Sequence, residues 1–277
     1  MIFYRTKGGF KVAELWYDPL EKPAKKVDVL RCRFVPTVAK NAFSVEEKYT
    51  LVTDLSKPQE ELFSRIHKNT RYEINRAQGR DGIDCFTFFE PQEQHGEAGM
   101  DKENKRKLLQ YVEFFNGFAA SKRRTPVDPG EFDQFCSAGA LYIRCAAKDS
   151  QPVVMHAYIV SDGIARLHQS ASHFRDREDQ ESRNLTGRAN RLLHWDDMLY
   201  FKNRGILFYD YGGVYGGHTD REKLAIAQFK LAFGGVKKRE YIYIVPVSAA
   251  GYFSVFLHAI HRLAEKSVWA LKRFLFR

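Results

Sequence analysis

Short apolar-rich runs with β-branched and aromatic residues, from Phe10 to Trp16, from Val27 to Val35 and from Tyr49 to Thr53, predict strands, whose side chains have a period of two. The proline- and lysine-rich run from Pro19 to Lys26 between the first two is a loop. After Ser56 the period changes. Leu62, Phe63, Ile66, Ile74 and Ala77 share one side of a helix, and Arg65, Lys68, Arg71 and Arg76 the other. Ser56, Pro58 and Gln59 supply a cap, a first-turn proline and a capping-box residue, so one helix is predicted from there to about Gln78. Its basic side is either a solvated face or a surface turned to an anion, Arg71 and Arg76 being the candidates.

Further along, Ile83–Phe89 reads as a strand, Lys102–Lys122 as a helix, and Glu131–Cys136 as a short helix after the Pro126–Gly130 turn. Ala140–Ala147, Val153–Val160 and Ile164–Ala171 are strands at hairpin spacing, with polar turns between them. The charged stretch Phe174–Arg183 is a loop. Leu185–Lys202 is a helix, Ile206–Tyr209 a strand, Lys223–Phe233 a helix and Tyr241–Val247 a last strand. This order predicts an α+β fold with a mixed sheet. The expected division is an N-terminal β/α extension (1–80), a core (81–247) and a C-terminal amphipathic helix (248–277).

In that last segment Phe253, Phe256, Leu257, Ile260, Leu263, Ala264, Val268, Leu271, Phe274 and Leu275 fall within an apolar arc of roughly 140° at helical spacing. The opposite side is basic. Such a helix packs on its own core or lies on an anionic membrane surface.

Composition narrows the partners. Lys and Arg number 44 against 34 Asp and Glu, a formal charge of +10 that favours anionic ligands. Cys32, Cys85, Cys136 and Cys145 form no C-x-x-C pair and no His/Cys cluster, so no metal is expected and the thiols read as reduced. The N-terminus has no continuous apolar stretch of the signal-peptide kind, and no window approaches the roughly 18 apolar residues of a membrane span. The expectation is a cytoplasmic protein, at most peripheral on the inner face of the membrane.

The most informative stretch is the strand end Tyr209-Asp210-Tyr211-Gly212-Gly213, followed by a helix carrying Lys230 and closed by Gly234-Gly235. Paired glycines at a strand end permit a sharp turn or close approach of a ligand. Asp210 is the first candidate for orienting or deprotonating a nucleophile, or it caps the turn. Tyr215, beyond the turn, is a candidate proton donor; Tyr209 and Tyr211 are taken to point to opposite faces, so that at most one shares the side of Asp210. Lys230, alone on an apolar helix, either binds an anion or extends to solvent. Thr186, Gly187, Arg188 and Ala189 read as a small-residue helix opening able to receive an anion. His156, His168 and His194 read as core histidines.

Three stretches resemble the GNAT-fold acyltransferases, specifically their Fem-type, bridge-forming aminoacyltransferase-like branch. They are Asp54–Ser56 with Asn69–Ala77, Gly187–Trp195, and Tyr209–Gly213 with Gln228–Gly235. The resemblance implies a mostly antiparallel, splayed sheet flanked by helices. It also implies transfer of an acyl or aminoacyl group to an amine on a cell-envelope glycan or its precursor. The donor would be acyl-CoA or aminoacyl-tRNA, a co-substrate and not a tightly bound cofactor. It points to Asp210, Tyr211 and Tyr215 as catalytic, and to Gly187, Arg188, Ala189, Asn190, Gly212, Gly213, Lys230, Arg71 and Arg76 as donor- or anion-binding. Two departures stand out: one half domain where bridge-forming enzymes carry two, and Asn184 where acyl-CoA enzymes carry Gln or Arg. Two other function classes stay open, a non-catalytic module binding an anionic ligand and an RNA-binding protein.

Overall fold

The computed structural model describes residues 1–18, 21–91, 101–172 and 180–260; most of the expected loop at 174–183, and the C-terminal segment beyond 260, lie outside these. Contacts divide the chain into two units, residues 1–49 with 239–277 and residues 50–238. The boundary expected at 80 falls elsewhere because residues 68–79 pack inside the larger unit against the helix of residues 180–203. That expected at 247 does so because the strand of residues 236–246 pairs with residues 29–35 of the smaller unit.

The smaller unit begins with β1 (Ile2–Lys7), β2 (Phe10–Trp16) and β3 (Val29–Val35). β1 and β2 form a hairpin turning at Gly8 and Gly9, both at positive φ; β2 and β3 run parallel. Ile2 and Tyr4 pack beside Ala13, Leu15, Cys32, Tyr243 and Val245, so the N-terminal residues gain a strand that their own short pattern does not announce.

The chain crosses into the larger unit within β4 (Ser44–Asp54). There follow α1 (Gln59–Arg65), α2 (Lys68–Gly79), β5 (Ile83–Phe89), α3 (Lys102–Ser121), α4 (Pro129–Ser137), β6 (Leu141–Lys148), β7 (Gln151–Ser161), β8 (Ile164–Ser172), α5 (Gln180–Asn203), β9 (Phe208–Gly213) and α6 (Arg221–Leu231). β10 (Val236–Pro246) returns to the smaller unit, pairs antiparallel with β3, and leads to a helix over 249–260.

Within 50–238 the strand order is β4-β9-β8-β7-β6-β5. The β6–β7 and β7–β8 hairpins turn at Asp149-Ser150 and Asp162-Gly163, each pair at positive φ, the twist that suits two-residue hairpin turns. All pairings are antiparallel except β8 with β9, which is parallel and short. Only Ile164, Ala165 and Arg166 meet Phe208, Tyr209 and Asp210. Beyond Arg166, β8 continues to Ser172 on β7 alone, so the sheet opens beside the end of β9.

One face is covered by α5, whose Ala189, Leu193 and Trp195 join Ile74 and Ala77 of α2 and Tyr158, Tyr209 and Tyr211 of the sheet in one core. On β8, the His168 ring meets Phe132 and Phe135 of α4, and Tyr111 of α3 hydrogen-bonds Gln169 (2.9 Å).

The helix expected over 56–78 is two helices with a corner at Ile66–His67. Pro58, not Ser56, precedes the first turn, and the Ser56 N–H donates to Asp54. The corner is held from both ends of the sequence. Arg71 donates to the Ser64 and Ile66 carbonyls (2.7 Å each), His67 Nδ1 accepts from the Asn69 N–H, and the His67 N–H donates to the Ala232 carbonyl (2.8 Å). Gly234 (φ +77°) lies so close that an added Cβ would stand 2.4 Å from the Arg65 carbonyl oxygen. Gly234→Ala is therefore expected to cost about 2–4 kcal/mol, from the left-handed backbone and a backbone clash together. Urea denaturation would measure it, and an unchanged midpoint would show that the corner shifts freely.

Candidate functional site

The end of β9 gathers part of the expected site. Asp210 is 3% exposed and Arg166 4%, and Arg166 Nη1 donates to Asp210 Oδ2 at 2.6 Å. Asp210 Oδ1 accepts from the Thr50 hydroxyl and from the Gly212 N–H (2.7 Å). The same hydroxyl oxygen lies 2.9 Å from the Gly212 carbonyl oxygen, a second acceptor for its single proton. Asp210 thus caps the turn and neutralises a buried arginine. Both of its oxygens are engaged, so it is not a free base.

Gly212 stands at φ +70°, and a Cβ there would lie 2.8 Å from the Leu167 carbonyl oxygen, the point where β8 and β9 part. Glycine is required on both counts. Lys230, in the last turn of α6, reaches back and donates to the Gly213 carbonyl (2.9 Å). Burial brings its ammonium down to about 8; nearby Asp210 opposes this, and Arg166 and Arg124 reinforce it. A half-buried ammonium that loses its proton near neutrality therefore sits at the opening of the sheet.

The other candidates fall elsewhere. Tyr211 is buried on the opposite face, its hydroxyl on Met198 Sδ of α5 (3.2 Å). Tyr209 points the same way, because residues two apart on a strand share a face; the expectation that the two tyrosines point to opposite faces is corrected by that period. Tyr215 lies half-buried past the turn, its hydroxyl 3.3 Å from Thr219 Oγ1.

Gly187, Arg188, Ala189 and Asn190 do not open a helix. α5 is already helical at Gln180, so their N–H groups lie two turns inside it. Arg188 pairs with Asp81 and Glu181, Ala189 is fully buried, and the Asn190 side chain meets His156 Nε2 (2.8 Å). The early start has an electrostatic reason: Glu181 in the first turn is held by Arg188 and by Arg76. Arg76 is engaged there and with Asp81, and Arg71 at the α1–α2 corner, so neither forms the expected anion-facing surface.

Beneath β9 lies a polar network that the sequence reading missed. Asp197 of α5 is fully buried and accepts from Arg144 Nε (3.0 Å) and from the Tyr158 hydroxyl (2.6 Å); His156 Nδ1 lies 2.8 Å away. Tyr158 and Tyr209 share a hydrogen bond (2.6 Å), and Tyr209 meets His194 Nδ1 (2.7 Å). Because the carboxylate only accepts, the donors are ordered. Tyr158 donates to Asp197, Tyr209 to Tyr158, and His194 Nδ1–H to Tyr209. Burial, with His156, Lys230 and Arg191 nearby, holds His194 well below its usual value, so it is neutral with its lone pair on Nε2. One signal was available. Leu193, Asp197 and Phe201 lie four apart on one helical stripe, an acid on an apolar face. Arg166, between Ala165 and Leu167 in a buried strand, is a similar signal.

Among the described residues no group of three or more His, Cys, Asp or Glu could hold a metal ion, no helix is long and apolar enough to cross a membrane, and the four cysteines are free thiols.

No protein-family model matches the chain, and no curated protein matches it. Solved structures do. FemX superposes with a TM-score of 0.59 at 10% identity, over 87% of this chain and 83% of FemX. The C-terminal domain (DUF2156) of an Agrobacterium fabrum protein assigned as a lysylphosphatidylglycerol synthetase gives 0.54 at 12% identity, over 92% of this chain and 83% of that one. L-PGS from Bacillus licheniformis gives 0.51 at 10% identity, over 92% and 84%. At such identities the likeness is one of fold: this chain shares the fold of FemX, with the mixed, mostly antiparallel sheet flanked by helices that was expected.

Proposed function

We propose that the protein is an acyltransferase, moving an acyl or aminoacyl group from an activated donor to an amine on a cell-envelope glycan, a glycan precursor or a lipid-linked acceptor. The observation that supports this best is Lys230, an ammonium lowered to about 8 at the point where β8 and β9 separate. Attack by the amine forms a C–N bond and places negative charge on the donor's carbonyl oxygen. A fixed ammonium beside that oxygen stabilises the charge. When the carbonyl re-forms, the C–S bond to CoA or the C–O bond to the tRNA ribose breaks, and the departing atom takes a proton from Lys230, an acid of pKa about 8. The attacking nitrogen sheds its extra proton and returns Lys230 to the ammonium. Asp210 and Arg166 act at one remove, by holding the strand end that Lys230 donates to. The work belongs on the cytoplasmic side of the membrane, where either donor is available.

The engagement of both Asp210 oxygens favours a second reading, a non-catalytic module that binds an anionic ligand at Lys230 without turnover. The test supplies labelled acetyl-CoA and labelled aminoacyl-tRNA in parallel, with amino sugars, peptidoglycan stem peptides and phosphatidylethanolamine as acceptors. Transfer from one donor that disappears in Lys230→Ala is the expected result. Binding of a donor without transfer to any acceptor would establish the second reading instead.

A further inference from the structure

The helix over 249–260 packs by its small side. Gly251 is buried so closely that an added Cβ would stand 1.9 Å from the Asp28 carbonyl oxygen, and Val255, one turn on, is 7% exposed. The Ser248 hydroxyl donates to Asp28 Oδ1 (2.7 Å) and accepts from the Gly251 N–H (3.0 Å), which fixes the start of the helix on that site. With the small stripe inward, the large apolar residues face out: Tyr252 is 58% exposed, Phe253 57%, Phe256 58%, Leu257 45% and Ile260 48%. At the helical period these five span about 140°, centred opposite Gly251 and Val255. Three aromatic and two aliphatic side chains held in water on one rigid stripe mark an interaction surface, not a scatter of surface residues.

We propose that this face is a docking surface for an anionic lipid bilayer, with the helix lying in the plane of the interface. Charge selects this occupant. From residue 261 to the end the sequence holds Arg262, Lys266, Lys272, Arg273 and Arg277 against Glu265 alone, and the chain as a whole carries +10. An aromatic, apolar stripe followed by basic residues gains both from burial at the acyl boundary and from attraction to acidic headgroups. A second copy of this chain would bring equal positive charge to the same face. This surface shares no residue with the Lys230 site and is independent of the acyl-transfer reading.

The full chain is to be sedimented with phosphatidylcholine vesicles, with and without phosphatidylglycerol, beside a Phe253→Ser, Phe256→Ser, Leu257→Ser variant whose denaturation midpoint is measured in parallel. These side chains are exposed, so the midpoint is expected to hold. The wild-type chain should sediment with the phosphatidylglycerol vesicles, less so at high salt, and the variant should bind at least about tenfold more weakly. Failure of the wild-type chain to bind, equal binding by the variant, or equal binding without phosphatidylglycerol would overturn the proposal. So would a lipid-free dimer that the three substitutions convert to a monomer, since the occupant would then be a second copy.

Discussion

Replacing Asp210 by alanine is expected to destabilise the 50–238 unit by about 3–5 kcal/mol, because it removes a carboxylate paired with the buried Arg166 guanidinium at 2.6 Å. Breaking a buried ion pair from one side costs far more than the pair contributes as a whole, since the remaining charge stays desolvated. Two further groups lose an acceptor, the Thr50 hydroxyl and the Gly212 N–H, and both are buried. Asp210→Asn keeps an oxygen for Thr50 and Gly212 but not the charge, so its cost should be clearly smaller than that of alanine. The same comparison at Asp197 is a control on the other face, where Tyr158 donates to that carboxylate and Arg144 shares it with Asp196. Urea denaturation followed by circular dichroism measures all four variants. An Asp210→Ala midpoint within the range of ordinary surface substitutions would mean that Arg166 relaxes to solvent, and the account of the turn would fail.

Burial and pairing thus turn the expected effect at Asp210 from rate towards stability, and the reason shows what a sequence discloses. The strands β5 to β8 follow from short apolar runs of strand length and from the turn residues between them, all local information. The opening between β8 and β9 is legible through the glycines at 212 and 213, whose conformational need is local too. The corner at Ile66–His67 is not, because its determinants are the Ala232 carbonyl and the close approach of Gly234, more than a hundred residues on. The first turns of α5 lack an apolar stripe and stand on Glu181 meeting Arg188 and Arg76, so periodicity places the start too late. That single displacement removes Gly187 and its neighbours from the site. Lys230 was visible as a charge on an apolar helix, but its partner carbonyl and its lowered ammonium arise only when α6 folds back over the end of β9.

Lys230 also makes an expectation in which rate and stability respond oppositely to pH. With the proposed donor in place, Lys230→Ala should lower kcat/KM about a hundredfold, the loss of roughly 3 kcal/mol of charge stabilisation in the transition state. The ammonium is the working form. Its value is lowered from 10.5 to about 8, so kcat/KM of the wild-type enzyme should fall as pH rises through about 8. Arginine stays protonated throughout this range, so Lys230→Arg should lose that descending limb whatever its absolute rate. Stability runs the other way. Between pH 8 and about 10 the unfolded chain holds a proton on Lys230 that the folded one has released, and stability rises with pH wherever the unfolded state binds more protons. The wild-type chain should therefore gain stability relative to Lys230→Met over that interval while its activity declines. Parallel pH profiles of rate and of denaturation midpoint test both limbs. A rate profile flat through pH 9 would remove Lys230 from the chemistry, and a stability difference that does not change with pH would show that the folded protein leaves its ammonium unperturbed.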